Sequence, residues 1–149
     1  MPKLSSRLQE SRVAEGRPET FFHVSFSGFI DAANYAAFEK TLESVYAKGG
    51  RFVVADFSEL HYINSTGISA LIRFYGLYKD RGGAFCLANV PKQVGLSMHL
   101  LGVTSLSPFL KDVKAAGEHF LQVLEGKSTA ASPAGASLVA STGWSISVE

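Results

Sequence analysis

Arg51–Tyr78, RFVVADFSELHYINSTGISALIRFYGLY, is the stretch on which the fold turns. Phe52-Val53-Val54-Ala55 is a short apolar run, which suits a strand covered on both faces. Asp56 ends it, and residues 57–63 read as a loop anchored by Phe57, Leu60 and Ile63. From Ile68 onward Leu71, Ile72, Tyr75 and Tyr78 recur at helical spacing, which predicts a helix packed on a sheet through that face. Asn64-Ser65-Thr66-Gly67 falls where the helix opens, so two adjacent hydroxyls stand at a helix N-terminus.

Working outward, residues 4–14 suit a polar edge strand, and Ala14-Glu15-Gly16-Arg17-Pro18 a turn. Thr20–Phe26 has strand composition, with Phe22, Val24 and Phe26 on one face. Asp31 is a good N-cap for a helix over 32–48, whose apolar positions are Tyr35, Phe38, Leu42 and Val45 and which Gly49-Gly50 stops. On the other side, Arg81-Gly82-Gly83 turns the chain into a buried strand, Ala84–Ala88. Pro91 then opens a helix carrying Val94, Met98 and Leu101, ended by Gly102. Residues 105–109 suit a last short strand, and Val113, Ala116, Phe120 and Val123 mark a closing helix. Strands alternating with helices predict an α/β sandwich with right-handed crossovers.

Beyond Gly126 the composition shifts to Ser, Ala, Thr and Gly, which predicts a flexible tail over 127–149 following a domain over 1–126. Within it, Trp144-Ser145-Ile146-Ser147-Val148 alternates like a strand. It suits either a peptide that adds to a sheet edge or a frayed terminus.

Composition narrows the function. The 149 residues are 46% hydrophobic and 18% charged, a globular balance, and a net charge of +1 supplies no basic stripe for phosphates, so no direct nucleic-acid binding is expected. One cysteine excludes an internal disulfide framework, and Cys86 sits in an apolar strand that suits core better than catalysis. The four histidines show no metal-ligand spacing, and no GxSxG, P-loop or GxGxxG motif occurs. Asp56 and Glu59 are too weakly specified for a catalytic carboxylate pair. The N-terminus lacks an apolar h-region, and no run of about 18 apolar residues exists, so neither secretion nor membrane insertion is expected. A non-enzymatic, cytoplasmic protein without cofactor or metal is the expectation.

The hydroxyls remain. Asn, Ser and Thr are favoured N-caps, so capping alone accounts for Asn64-Ser65-Thr66. A hydroxyl at a helix start is also exposed, and the positive end of the helix tolerates an added phosphate. Such a phosphate carries about −1.5 to −2 charge and would weaken a tight interface without unfolding the domain.

DFSELHYINSTGISALI resembles the signature of STAS domains, the family of bacterial anti-sigma factor antagonists: an acidic strand end, a hydrophobic loop, then Asp-Ser-Ser/Thr-Gly opening a helix. Ser27-Gly28-Phe29-Ile30-Asp31 is similar to the family's Gly-x-x-Asp, residues 81–88 to its next turn and strand, and Leu100-Leu101-Gly102-Val103 to its late Leu-x-x-Gly. The resemblance spans roughly 21–124. It implies an α/β fold, a mixed sheet of four to five strands flanked by about four helices. It also implies a partner switch, with Ser65 as the residue phosphorylated by an anti-sigma factor that is a serine kinase of the histidine-kinase-like ATPase fold, and Thr66 as second choice. The unphosphorylated form would bind the kinase, the phosphorylated form would let go, and a PP2C-type phosphatase would reset it; ATP would be the kinase's ligand. Asp31, Asn64, Thr66, Gly67, Ser69 and Arg73 are the expected partner-binding residues. Asn64 departs from the family's usual Asp and so removes a carboxylate beside the acceptor. That departure favours an alternative on the same fold, a scaffold that is never phosphorylated, as in stressosome-type or transporter-associated members. A small-ligand or lipid-binding module around Tyr62–Thr66 is a second alternative, and a hydrolase or transferase a third.

Overall fold

The structure, a computed structural model, describes residues 3–103 and 109–126. A polar edge strand and four strands with buried apolar positions or partners pair into one sheet: β1 (Leu4–Arg12), β2 (Thr20–Ile30), β3 (Phe52–Ile63), β4 (Ala84–Ala88) and β5 (Phe109–Leu110). They lie in sequence order across the sheet. β1 and β2 are antiparallel, and every later neighbour pair is parallel. Parallel neighbours require crossovers, which α1 (Tyr35–Ala47), α2 (Ser65–Asp80) and α3 (Lys92–Leu100) supply.

Alternation along β3 and β4 divides the interior in two. Val53, Ala55, Phe85 and Leu87 face one core, with Phe38 and Leu42 of α1, Leu71 and Phe74 of α2, and Val94 and Met98 of α3. Phe52, Val54, Ala84, Cys86 and Ala88 face the other, closed by Ala116 and Phe120 of α4 (Val113–Leu124). The mixed five-stranded sheet with four helices is the architecture expected from the sequence. The edge strand, the buried β4 and the closing helix fall where their composition places them.

Five expectations are corrected. Residues 57–63 continue β3 rather than forming a loop. Ser25 pairs with Asp56 but Ser27 with Glu59, and Gly28 with Leu60 but Phe29 with Tyr62. β3 therefore carries an extra residue at each of two bulges, which converts the strand's period of two into the three-residue spacing of Phe57, Leu60 and Ile63. Asp31 does not cap a helix at 32. Its Oδ1 accepts hydrogen bonds from the Ala33 and Asn34 amides, both at 3.1 Å, forming a turn that delays α1 to Tyr35. Ile72 is 37% exposed, one step beyond the buried stripe of Ile68, Leu71, Phe74 and Tyr78. Leu101 is exposed because it is the C-cap of α3, past its last packed turn, and Val103 is buried instead. Pro91 is the N-cap of α3, a residue earlier than expected. Of the strand expected over 105–109 only Phe109 is described; the tail over 127–149, with Trp144–Val148, lies outside the described residues.

Two features fix the frame that holds α2. Gly28 has φ +109, and a Cβ there would run into the Lys3 carbonyl, so only glycine lets β1 close on β2 at this point. At the far end of α2, Arg81 donates to the carbonyls of Tyr46 and Gly50, both at 2.9 Å, and stacks 3.6 Å above the Tyr46 ring. That contact ties the carbonyl end of α1 to the end of α2, a favourable place for a cation.

Candidate functional site

The site is the junction of β3 and α2. The Asn64 amide donates to the Ile30 carbonyl at 2.9 Å, fastening the start of α2 to the end of β2. Asn64 is extended (φ −87°, ψ 173°), and its Oδ1 accepts the Gly67 amide at 2.8 Å. The cap is therefore made by Asn64 alone, and Ser65 and Thr66 are the first two helical residues, both exposed. Their amides belong to the first turn, which has no intrahelical acceptors for them. Gly67 is buried: a Cβ would come within 2.8 Å of Ile30 Cγ2 and 2.9 Å of Ile63 Cγ1. It lets the turn settle on the core.

Ser69 and Arg73 follow Ser65 at four-residue intervals, so the three share a helix face, and both are exposed. Arg73 donates to Glu39 of α1 at 2.8 Å, and Glu39 also accepts from the Tyr35 hydroxyl at 3.1 Å. Removal from water and the bond to Glu39 raise the Tyr35 pKa. Asp31 is half-buried in the adjoining turn, next in sequence to the Ile30 that holds Asn64. Of the residues expected from the sequence, Asn64, Ser65 and Thr66 form the helix start with the Asp31 turn alongside, Ser69 and Arg73 continue the same face toward the middle of α2, and Gly67 lies beneath.

Phe29 and His61 were not singled out from the sequence, and Tyr62 only as the edge of the Tyr62–Thr66 ligand-binding alternative. Tyr62 is 48% exposed, and Phe29 stacks near His61 with ring centroids 5.6 Å apart, giving an aromatic patch three residues before Ser65. The bulges of β3 leave His61 and Tyr62 both exposed, and bulges leave no compositional mark here.

A second polar cluster lies on the α4 side of the sheet. Asp56 accepts from the Ser58 amide (2.9 Å) and Asn89 Nδ2 (3.2 Å), and its Oδ2 lies 3.3 Å from His23 Nε2. Burial alone would raise the Asp56 pKa, but these hydrogen bonds outweigh it and hold the carboxyl below its ordinary value. Cys86 is fully buried, and burial pushes its thiol up. Among the described residues no group of three or more His, Cys, Asp or Glu is placed to hold a metal, and no helix is long and apolar enough to cross a membrane.

The family model for the STAS domain matches residues 11–116. The chain belongs to the STAS domain family. An anti-sigma factor antagonist from Mycobacterium paratuberculosis is similar in structure at a TM-score of 0.68 and 21% identity, over 80% of this chain and 95% of that one. RsbS S58E of Moorella thermoacetica gives 0.60 at 16% identity, over 80% and 98%. The anti-sigma factor antagonist SpoIIAA in its unphosphorylated form gives 0.58 at 15%, over 82% and 97%. At these identities the likeness is one of fold. No curated protein matches the sequence significantly.

Proposed function

We propose that this STAS domain is an anti-sigma factor antagonist in a partner-switching pathway, with Ser65 as its phosphorylation site. The observation that carries the reading is the division of labour at the helix start. Asn64 makes the cap, so the exposed Ser65 hydroxyl has no structural duty that a kinase would have to undo. Unphosphorylated, the chain binds an anti-sigma factor that is a serine kinase of the histidine-kinase-like ATPase fold, through Ser65, Thr66, Ser69 and Arg73 with the Asp31 turn alongside. Transfer of a phosphate from the kinase's ATP puts about −1.5 to −2 charge in the centre of that contact. Repulsion and desolvation release the partner, while the positive end of α2 accommodates the phosphate within the domain. A PP2C-type phosphatase restores the serine. The domain works in the cytoplasm as a binding module rather than an enzyme.

Asn64 supports a second reading, a scaffold that binds through the same face and is never phosphorylated. It supplies the cap as Asp would, but no charge. Binding assays with the kinase decide between the two. Under the switch, Ser65→Ala binds and is not labelled, whereas Ser65→Glu binds at least tenfold more weakly than the wild type. Unlabelled wild type that binds as tightly as Ser65→Glu would favour the scaffold.

A further inference from the structure

The two edges of the sheet are unlike. β5 is two residues long, whereas β1 is nine, with no proline and no bulge in its pairing with β2. Long regular edges present unpaired N–H and C=O groups to another strand, and proteins ordinarily blunt them. The hydrogen bonds at both ends of β1 show which groups point outward. Phe29 donates to the Lys3 carbonyl at 2.9 Å, and Val13 donates to the Glu19 carbonyl at 3.0 Å. Odd-numbered residues of β1 therefore bond to β2, and Leu4, Ser6, Leu8, Glu10 and Arg12 direct their backbone groups away from it.

We infer that β1 is a self-association edge, pairing antiparallel with β1 of a second copy about a two-fold axis at Leu8. Faces match across such an axis only when even residues oppose even ones. Centred on Leu8, all nine residues pair: Leu4 with Arg12, Ser6 with Glu10, Leu8 with Leu8, and on the other face Ser5 with Ser11 and Arg7 with Gln9. No like charges stand directly opposite, and the two Arg7 side chains are only diagonal neighbours. Moving the axis to Arg7 would set Arg7 against Arg7, and moving it to Gln9 would lose a pair at the strand end.

The side-chain surroundings favour the same centre. Leu8 is 38% exposed on the α1 face, beside an open groove of about 410 Å³ that Val24, Ala37, Thr41 and Val45 help to line. The second Leu8 would sit next to the first at the floor of two such grooves joined end to end. The sheet would become ten-stranded, with only the two short β5 strands left as edges. Because the two β1 strands run in opposite directions, their Leu4 ends, and the α2 starts beyond them, point to opposite ends of the assembly. Both Ser65 faces stay open.

Light-scattering masses of the full chain at low and high micromolar concentration test this, with Ser6→Pro and Leu8→Lys beside the wild type. Proline at Ser6 removes an outward N–H and spares the β2 ladder. Lysine at Leu8 sets two ammonium groups against each other at the axis. The wild type is expected to reach twice its 16.0 kDa mass, and both variants to stay monomeric with unchanged circular dichroism. If proline disturbs folding, lysine at the already exposed Leu8 decides alone. A wild type that remains monomeric, leaving the edge to another strand such as residues 144–148, overturns the inference. So does a dimer that Leu8→Lys leaves intact.

Discussion

Asn64 does two jobs at once: its amide anchors α2 to Ile30, and its side chain caps Gly67. Asn64→Ala keeps the first and loses the second, so chemical denaturation is expected to show a loss of about 1 kcal/mol. Asn64→Asp keeps the cap and adds the carboxylate usual in the family; it is expected to match the wild type in stability within about 0.5 kcal/mol and to be phosphorylated faster. His119 gives a pH dependence. Its Nε2 is buried with no hydrogen-bond partner among the described residues, and burial lowers its pKa from the ordinary 6.5. The unfolded chain therefore takes up a proton near pH 6.5 that the folded chain resists. Stability linked to this residue is complete above pH 6.5 and declines as the pH falls from there toward the lower folded value. Urea midpoints at several pH values should show that decline in the wild type, and a smaller one in His119→Phe.

At the scale of elements, the sequence told most where one periodicity held from end to end. β4 lies at the expected residues because Ala84–Ala88 is uniformly apolar and buried on both faces. α4 follows its Ala116–Phe120 spacing, with Asp112 capping it by accepting from the Ala115 amide at 2.9 Å. β3 was half legible. Up to Asp56 it has neighbours on both sides, β2 and β4, but from there to Ile63 it pairs only with β2, through two bulges. Composition alone reads such a segment as a loop, and the contact of its His61 with Phe29 of β2 was missed with it. The start of α1 was misplaced for a local reason, since an aspartate can satisfy a turn as well as a helix. α4 closes its side of the sheet largely through one ring: Phe120 lies 5.1 Å from Phe52 and 5.3 Å from Phe21. Phe120→Ala is expected to cost about 3–5 kcal/mol and to raise amide exchange in α4 more than in α2. Equal acceleration in both helices would mean that α4 does not open on its own.

Taken as a whole molecule, the domain sets exposed hydroxyls directly over packed core residues. Ile63 and Ile68 on either side of the exposed hydroxyls are buried, as is Gly67 between them, so a phosphate at Ser65 would alter the surface while the core stays packed. Candidate residues could be named from the sequence because they cluster within one helix turn and its neighbours. Their convergence with Asp31 depends on the Ile30–Asn64 hydrogen bond, which joins residues far apart in the chain and leaves no trace in local composition. The most direct test of the switch is intact-mass spectrometry on protein isolated from its native cells, with fragment mapping across residues 55–80. A fraction of the protein carrying one phosphate, located on Ser65, is the predicted result. No phosphate under any growth condition, or a phosphate confined to residues away from the start of α2, would contradict it.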